Sequence, residues 1–297
     1  QVAVVTSIEY DHPDFFKTPN EMVQAFNQFV DLLPEDGLLV ACADNPMAAI
    51  MAQNRLVAGW PVITYGIQNV QADWRAVNIH IDSAYQTVFE VVRGDETLGT
   101  ARLQIPGEFN VLNALAALIV ADNQGVPFED AARALASFQG AGRRFQARGE
   151  VDGVLVIDDY AHHPTAIRVN LEAAKERFKT RKIWAVWQPH TYSRTQALWD
   201  GYVSSFGAAD HVIVTEIFAA REDPVPGVNS ADLAQAINHP DVHYSPTFDE
   251  AVEYLLKNVQ PPAAILIMSA GDAPLIGLNY LKLRQGKTDG EAAGQTG

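Results

Sequence analysis

Four polar clusters stand directly after apolar runs in this sequence, and their residue types could do chemistry. Glu9-Tyr10-Asp11-His12 follows residues 2–6, and Asp158-Asp159-Tyr160-Ala161-His162-His163-Pro164 follows residues 155–157. Gln188-Pro189-His190-Thr191-Tyr192-Ser193-Arg194 follows residues 183–187, and Ser269-Ala270-Gly271-Asp272 follows residues 264–268. Imidazoles move protons near neutral pH or ligate metals, and a guanidinium grips a carboxylate or phosphate through two oxygens. Taken singly, any of these clusters reads equally well as a solvated turn with capping polar groups. The adjacent His162 and His163 are open to metal binding, phosphate binding or proton transfer, although neighbouring histidines point different ways and more often bond backbone than share a metal. Arg143, Arg144 and Arg148 form the densest basic patch, just after Gly140-Ala141-Gly142. They suit a polyphosphate, or alternatively salt bridges at a domain interface. Asn110 and Asn113 share a helix face by their spacing and could read an adenine edge or cap the helix. Gly286-Lys287-Thr288 imitates the end of a phosphate-binding P-loop, but Leu281 stands where the motif's first glycine must be.

The clusters need elements to hold them. Residues 2–6, 38–42 and 61–65 are β-branched, apolar runs of the kind found in parallel strands buried on both faces. Between them the spacing predicts a helix opened by Thr18-Pro19-Asn20-Glu21, with Thr18 as N-cap, and a second helix over 45–53. Residues 76–81, 87–92 and 98–105 read as an antiparallel meander, followed by helices over 108–122 and 127–137. From there the order alternates strictly. Strands are predicted at 155–157, 183–187, 211–215, 242–244 and 264–268, and helices at 164–177, 194–206, 230–237 and 248–256. That alternation implies a doubly wound sheet, whose ligands bind beyond the carboxyl ends of the strands. Three of the four clusters would then meet on one rim. A domain boundary is expected near residues 146–153, and residues 285–297 are expected to be disordered.

Composition bounds the function. A length of 297 residues fits about two domains. Lys and Arg total 21 against 36 Asp and Glu, a formal charge of −15, which argues against nucleic-acid or anionic-membrane partners. The single cysteine, Cys42, excludes an intrachain disulfide and fits a reducing, cytoplasmic compartment. The opening residues read as a strand rather than a signal peptide, and a start on Gln1 reads as a fragment of something longer.

Together these motifs resemble the Mur ligases. The resemblance is carried by Thr6-Ser7-Ile8-Glu9-Tyr10-Asp11-His12, by Gly107-Glu108-Phe109-Asn110-Val111-Leu112-Asn113-Ala114, and by Phe138-Gln139-Gly140-Ala141-Gly142-Arg143-Arg144-Phe145. It continues through residues 158–165, 188–195 and 269–272, in family order. It implies an α/β chain. Residues 1–145 would be an incomplete P-loop-type ATPase central domain with an antiparallel β insertion, residues 146–284 a Rossmann-like, doubly wound C-terminal domain, and 285–297 a tail. The activity implied is ATP-dependent addition of L-alanine to UDP-N-acetylmuramate through an acyl phosphate, in peptidoglycan synthesis, with ATP and Mg²⁺ as cofactors. Lacking a P-loop, the 297 residues alone are expected to be inactive.

By the same resemblance His12 matches a Mg²⁺ ligand, Asn110 and Asn113 the adenine contacts, and Arg144 and Asp159 nucleotide contacts. Tyr160, His162, His190 and Arg194 match the surroundings of the incoming L-alanine, with Arg194 as partner of its carboxylate. Thr191 stands where some relatives carry a second arginine, which places more weight on Arg194. The alternatives are a murein-tripeptide recycling ligase of the same family, a metal-dependent hydrolase using Asp158, Asp159, His162 and His163, and a binding module without catalysis.

Overall fold

The computed structural model describes the backbone of residues 1–294 and the side chains of residues 1–286. The chain divides into two compact units, Gln1–Gln139 and Gly140–Gly297. Both are α/β.

In the first unit β1 (Val2–Val5), α1 (Pro19–Val30), β2 (Leu38–Cys42), α2 (Pro46–Val57), β3 (Val62–Gly66), β4 (Trp74–Ile81), β5 (Thr87–Arg93), β6 (Glu96–Leu103), α3 (Glu108–Asn123) and α4 (Phe128–Ser137) follow in order. The strands form one sheet in sequence order, parallel from β1 to β4 and antiparallel from β4 to β6. Every residue of β2 is buried, because α3 covers one face of the sheet and α1 and α2 the other. The helix starts are written locally. Thr18 accepts the Glu21 N–H at 3.3 Å, while the Glu21 carboxylate reaches back to the Lys17 N–H at 2.7 Å. Asn45 caps α2 through the Ala48 N–H at 3.0 Å.

The second unit runs β7 (Gln146–Val151), β8 (Val154–Asp159), α5 (Pro164–Arg177), β9 (Lys182–Trp187), α6 (Tyr192–Ala197), α7 (Trp199–Val203), β10 (His211–Thr215), α8 (Ser230–Ala236), β11 (Val242–Ser245), α9 (Phe248–Asn258), β12 (Ala263–Met268) and α10 (Pro274–Gly294). Its sheet has the order β11-β10-β9-β12-β8-β7. All neighbours are parallel except β7, which pairs antiparallel with β8. Core residues from α5, α7 and α8 pack on one face, and those from α9 and α10 on the other. The central strand β12, Ala-Ala-Ile-Leu-Ile-Met, is buried throughout.

Three expectations are corrected here. The stretch 146–153, read as a boundary, is the edge strand β7 and its hairpin, turned by Asp152 and Gly153 with φ of 49° and 72°. Two consecutive positive φ values suit the tight turn between twisted strands. The helix expected over 194–206 breaks at Leu198 (φ −111°, ψ 18°) into α6 and α7. The break lays Tyr202 against Trp187, with ring centroids 4.6 Å apart, and brings its hydroxyl to the His162 carbonyl at 2.8 Å. Finally, the backbone of 285–294 continues α10 rather than forming a disordered tail, while 295–297 lie outside the described residues. Ile276 and Tyr280 anchor that helix on the sheet, and a nucleated helix propagates cheaply. The side chains of Lys287 and Thr288 also lie outside the described residues. No described helix is long and apolar enough to cross a membrane.

Asp210 ties the amino-terminal end of this second sheet together. It accepts the Ile183 N–H at 2.9 Å and the ammonium groups of Lys175 at 2.7 Å and Lys182 at 3.0 Å. Burial pushes its pKa up, but these three donors outweigh it and hold the group at about 2. Because the folded value lies below the unfolded one, the stabilisation is present above about pH 4 and fades as pH falls toward about 2. Asp210→Asn should therefore cost about 1 kcal/mol near pH 7, since both lysines are well exposed and screened, and about half of that near pH 3. Urea unfolding at the two pH values measures this, and equal losses at both would remove the charge from the account.

Candidate functional site

In the second unit the strands β9, β12 and β8 are neighbours, and the three polar clusters leave their carboxyl ends side by side. The helices that follow β8 and β9 pack on one face and α10 on the other, so the rim has the crevice expected where connections change sides. Gln188 ties two of the loops together. It is 4% exposed, and its Oε1 accepts the Ser269 hydroxyl at 2.7 Å and the Ala273 N–H at 3.2 Å. Its Nε2 donates to Asp272 at 3.0 Å. Gly271 is required by this packing, because a Cβ there would lie 2.6 Å from Gln188 Oε1 and 2.8 Å from Phe218 Cγ.

The basic patch divides. Arg143 donates to the carbonyls of Ser269 at 2.6 Å and Gly271 at 3.2 Å, with its Nε 3.6 Å from Asp158. Arg148 donates to the same carboxylate at 2.7 Å. These two arginines therefore neutralise the buried Asp158 inside their own unit. Arg144 is exposed, with its guanidinium 5.4 Å from the Tyr160 ring centre, and Arg143 lies 5.1 Å from the same ring.

Asp159 is 2% exposed. Its carboxylate accepts the N–H groups of Phe145 and Ala161, both at 2.7 Å, and the Asn170 amide at 3.3 Å. Desolvation raises its pKa, an effect that the two backbone donors and Arg144 partly offset. The carboxylate thereby anchors the 143–145 loop beside Tyr160, whose N–H donates to the Arg143 carbonyl at 2.7 Å. The two adjacent histidines do face different partners. His162 Nδ1 lies 2.8 Å from the Tyr160 carbonyl, so it carries the proton there, whereas His163 Nδ1 accepts the Thr165 N–H and caps α5.

Arg194, 3% exposed, places Nη1 2.8 Å from His190 Nδ1. A guanidinium only donates, so this nitrogen of His190 is the acceptor and its ring proton sits on Nε2. The His190 ring lies 5.7 Å from that of His162 and stacks on Phe218 at 5.6 Å. Tyr160, His162, His190 and Arg194 are thus joined by direct ring or hydrogen-bond contacts. Between His190 and Arg194, Thr191 has φ 63° and ψ 147°, a strained conformation for a β-branched residue. Phe218 and Glu222 were not legible as site residues, because the loop after β10 carries no histidine or arginine cluster. The only signal was its position after a strand on the same rim.

In the first unit His12 follows β1 with φ 54°. Its side chain is 60% exposed and lies 3.8 Å from Asp11 and 3.9 Å from Asp14. The loop is pinned by the Ile8 N–H donating to Asn45 at 3.2 Å. Asn110 donates to the Pro106 carbonyl at 2.7 Å at the start of α3, and Asn113 is exposed one turn later. Among the described residues no three His, Cys, Asp or Glu side chains converge to hold a metal ion.

Residues 1–121 match the Mur ligase middle domain, and residues 143–271 match the glutamate ligase domain of Mur ligases. The chain belongs to the Mur ligase family. A UDP-N-acetylmuramate--L-alanine ligase from Caldanaerobacter subterraneus subsp. tengcongensis is 41% identical over 285 residues, covering 95% of this chain and 60% of that protein. A solved UDP-N-acetylmuramate-alanine ligase from Thermotoga maritima matches with TM-score 0.73 at 23% identity, over 96% of this chain and 60% of its own. A murein peptide ligase from Psychrobacter arcticus matches with TM-score 0.63 at 27% identity, over 95% of this chain and 57% of its own. This Mur ligase chain therefore spans about 60% of the length of the curated relatives it matches. Family membership disfavours the hydrolase alternative, and so do its donors. Asp158 is paired with arginines, Asp159 serves backbone N–H groups, and His163 caps a helix.

Proposed function

We propose that this Mur ligase chain is part of an enzyme that adds L-alanine to UDP-N-acetylmuramate at the expense of ATP, in peptidoglycan synthesis. The observation that carries the reading is the 41% identity to a UDP-N-acetylmuramate--L-alanine ligase across 95% of the chain. The geometry of the second unit supports it, because a buried Arg194 beside His190 suits an amino-acid carboxylate. In this reading the muramate carboxylate attacks the γ-phosphate of ATP and expels ADP, and the alanine amine then displaces phosphate from the acyl phosphate. Arg194 binds the alanine carboxylate and His190 orients the guanidinium. His162, its ring oriented by Nδ1–H donation to the Tyr160 carbonyl, is assigned to the surroundings of the alanine amine. In the first unit Asn110 and Asn113 are assigned to the adenine; in the second, Tyr160 supports Arg144, assigned as a phosphate contact, and Asp159 holds the loop that carries Arg144. Mg²⁺, when bound, would neutralise phosphate charge, and His12 is proposed as one of its ligands.

The test is amino-acid-dependent phosphate release by the protein that carries these residues, supplied with ATP and UDP-N-acetylmuramate. L-alanine is expected to support turnover at least about tenfold better than the murein tripeptide. Preference for the tripeptide would favour the recycling ligase, and no acceptor-dependent release of phosphate would sink both.

A further inference from the structure

We propose that Phe218 is a positioning residue, which holds His190 and Arg194 in the arrangement that receives an amino-acid carboxylate. The inference rests on the functional reading above for the identity of the ligand. Phe218 lies in the loop after β10, outside all four polar clusters. Its backbone forms an isolated parallel bridge with His190. The Phe218 N–H donates to the Pro189 carbonyl at 2.8 Å, and the Thr191 N–H donates to the Phe218 carbonyl at 2.9 Å. The two backbones are therefore held in register, and the rings stack with an interplanar angle of 23°. The Phe218 ring is also backed by Gly271, where a Cβ would come within 2.8 and 2.9 Å of its Cγ and Cδ2. Four residues on, Glu222 accepts both the Ser193 N–H at 2.8 Å and the Ser193 hydroxyl at 2.5 Å. The loop thus grips the chain on both sides of the strained Thr191, a conformation that costs on the order of 1–3 kcal/mol and persists only when neighbours hold it. The aromatic face limits rotation of the imidazole, and that keeps Nδ1 turned toward Arg194.

Two readouts test this. In ¹⁵N-histidine NMR spectra of the wild-type protein, His190 is expected as a single Nε2–H tautomer with ring protons shifted upfield by the stacked Phe218. Phe218→Ala and the volume-preserving Phe218→Leu should both lose the upfield shift and give a tautomer mixture, and Phe218→Tyr should retain the wild-type spectrum. In parallel, Phe218→Ala should raise the KM for L-alanine by about tenfold while the KM for ATP stays within about twofold, with rescue by Phe218→Tyr. An unchanged His190 spectrum in both ring-less variants overturns the proposal. So does an unchanged alanine KM, or an equal rise in both KM values, which a general loosening of the unit would produce. A wild-type enzyme with no alanine-dependent turnover would instead overturn the functional reading, and the spectra would still decide whether Phe218 fixes His190.

Discussion

Replacing Arg194 by alanine in the protein that carries these residues is expected to raise the KM for L-alanine by about 10- to 1000-fold. The side chain is 3% exposed, and its guanidinium lies 2.8 Å from His190 Nδ1, beside the loop that leaves β9. A carboxylate bound there would meet a desolvated guanidinium, and loss of such a charge-assisted pair is worth about 1.5–4 kcal/mol. Arg194→Lys keeps the charge but not the planar fork, so its effect should fall between the two. Steady-state kinetics with alanine varied at saturating ATP separate KM from kcat, and a thermal scan shows whether the variant is folded. A folded Arg194→Ala enzyme with unchanged alanine KM would take Arg194 out of the site.

The second large effect concerns stability. Gln188→Leu preserves apolar volume but removes the acceptor of the Ser269 hydroxyl and the Ala273 N–H, and the donor to Asp272. Ala273 is fully buried, so its N–H would have no water to turn to. A stranded buried donor costs about 1–3 kcal/mol, and with the Ser269 and Asp272 bonds also lost the total should be about 2–4 kcal/mol. Gln188→Glu should cost at least as much, because it keeps the accepting oxygen but sets a second carboxylate against Asp272 at a buried position. The urea midpoint is the measurement, with the m-value checked for constancy. A loss below about 1 kcal/mol for Gln188→Leu would show that the loops after β9 and β12 do not depend on this side chain.

Much of the fold was legible because its signals are local. The fully buried β2 and β12 are unbroken apolar runs, and the capping residues Thr18 and Asn45 sit where their side chains bond the next turn. The meander of β4, β5 and β6 shows in its β-rich runs and turn residues. Where polar residues form structure the local signal fails. Gln-Ala-Arg-Gly-Glu-Val reads as a linker, yet β7 exists because β8 offers it an edge and Asp152-Gly153 turns the chain back. The continuous helix expected over α6 and α7 is broken by what it packs against, since Tyr202 must meet both Trp187 and the His162 carbonyl.

By itself the sequence determined that this is an acidic α/β chain of the Mur ligase type, whose His, Asp and Arg clusters follow its strands. Each of those properties resides in neighbouring residues or in composition. Only the tertiary structure decided that β12 enters between β9 and β8, which sets three clusters side by side. It alone decided that Arg143 and Arg148 are committed to Asp158, and that Phe218 lies against His190. The physical reason is that strand order and contacts between loops follow from burying surfaces far apart in the chain, and such burial leaves no periodicity or motif at the residues it joins.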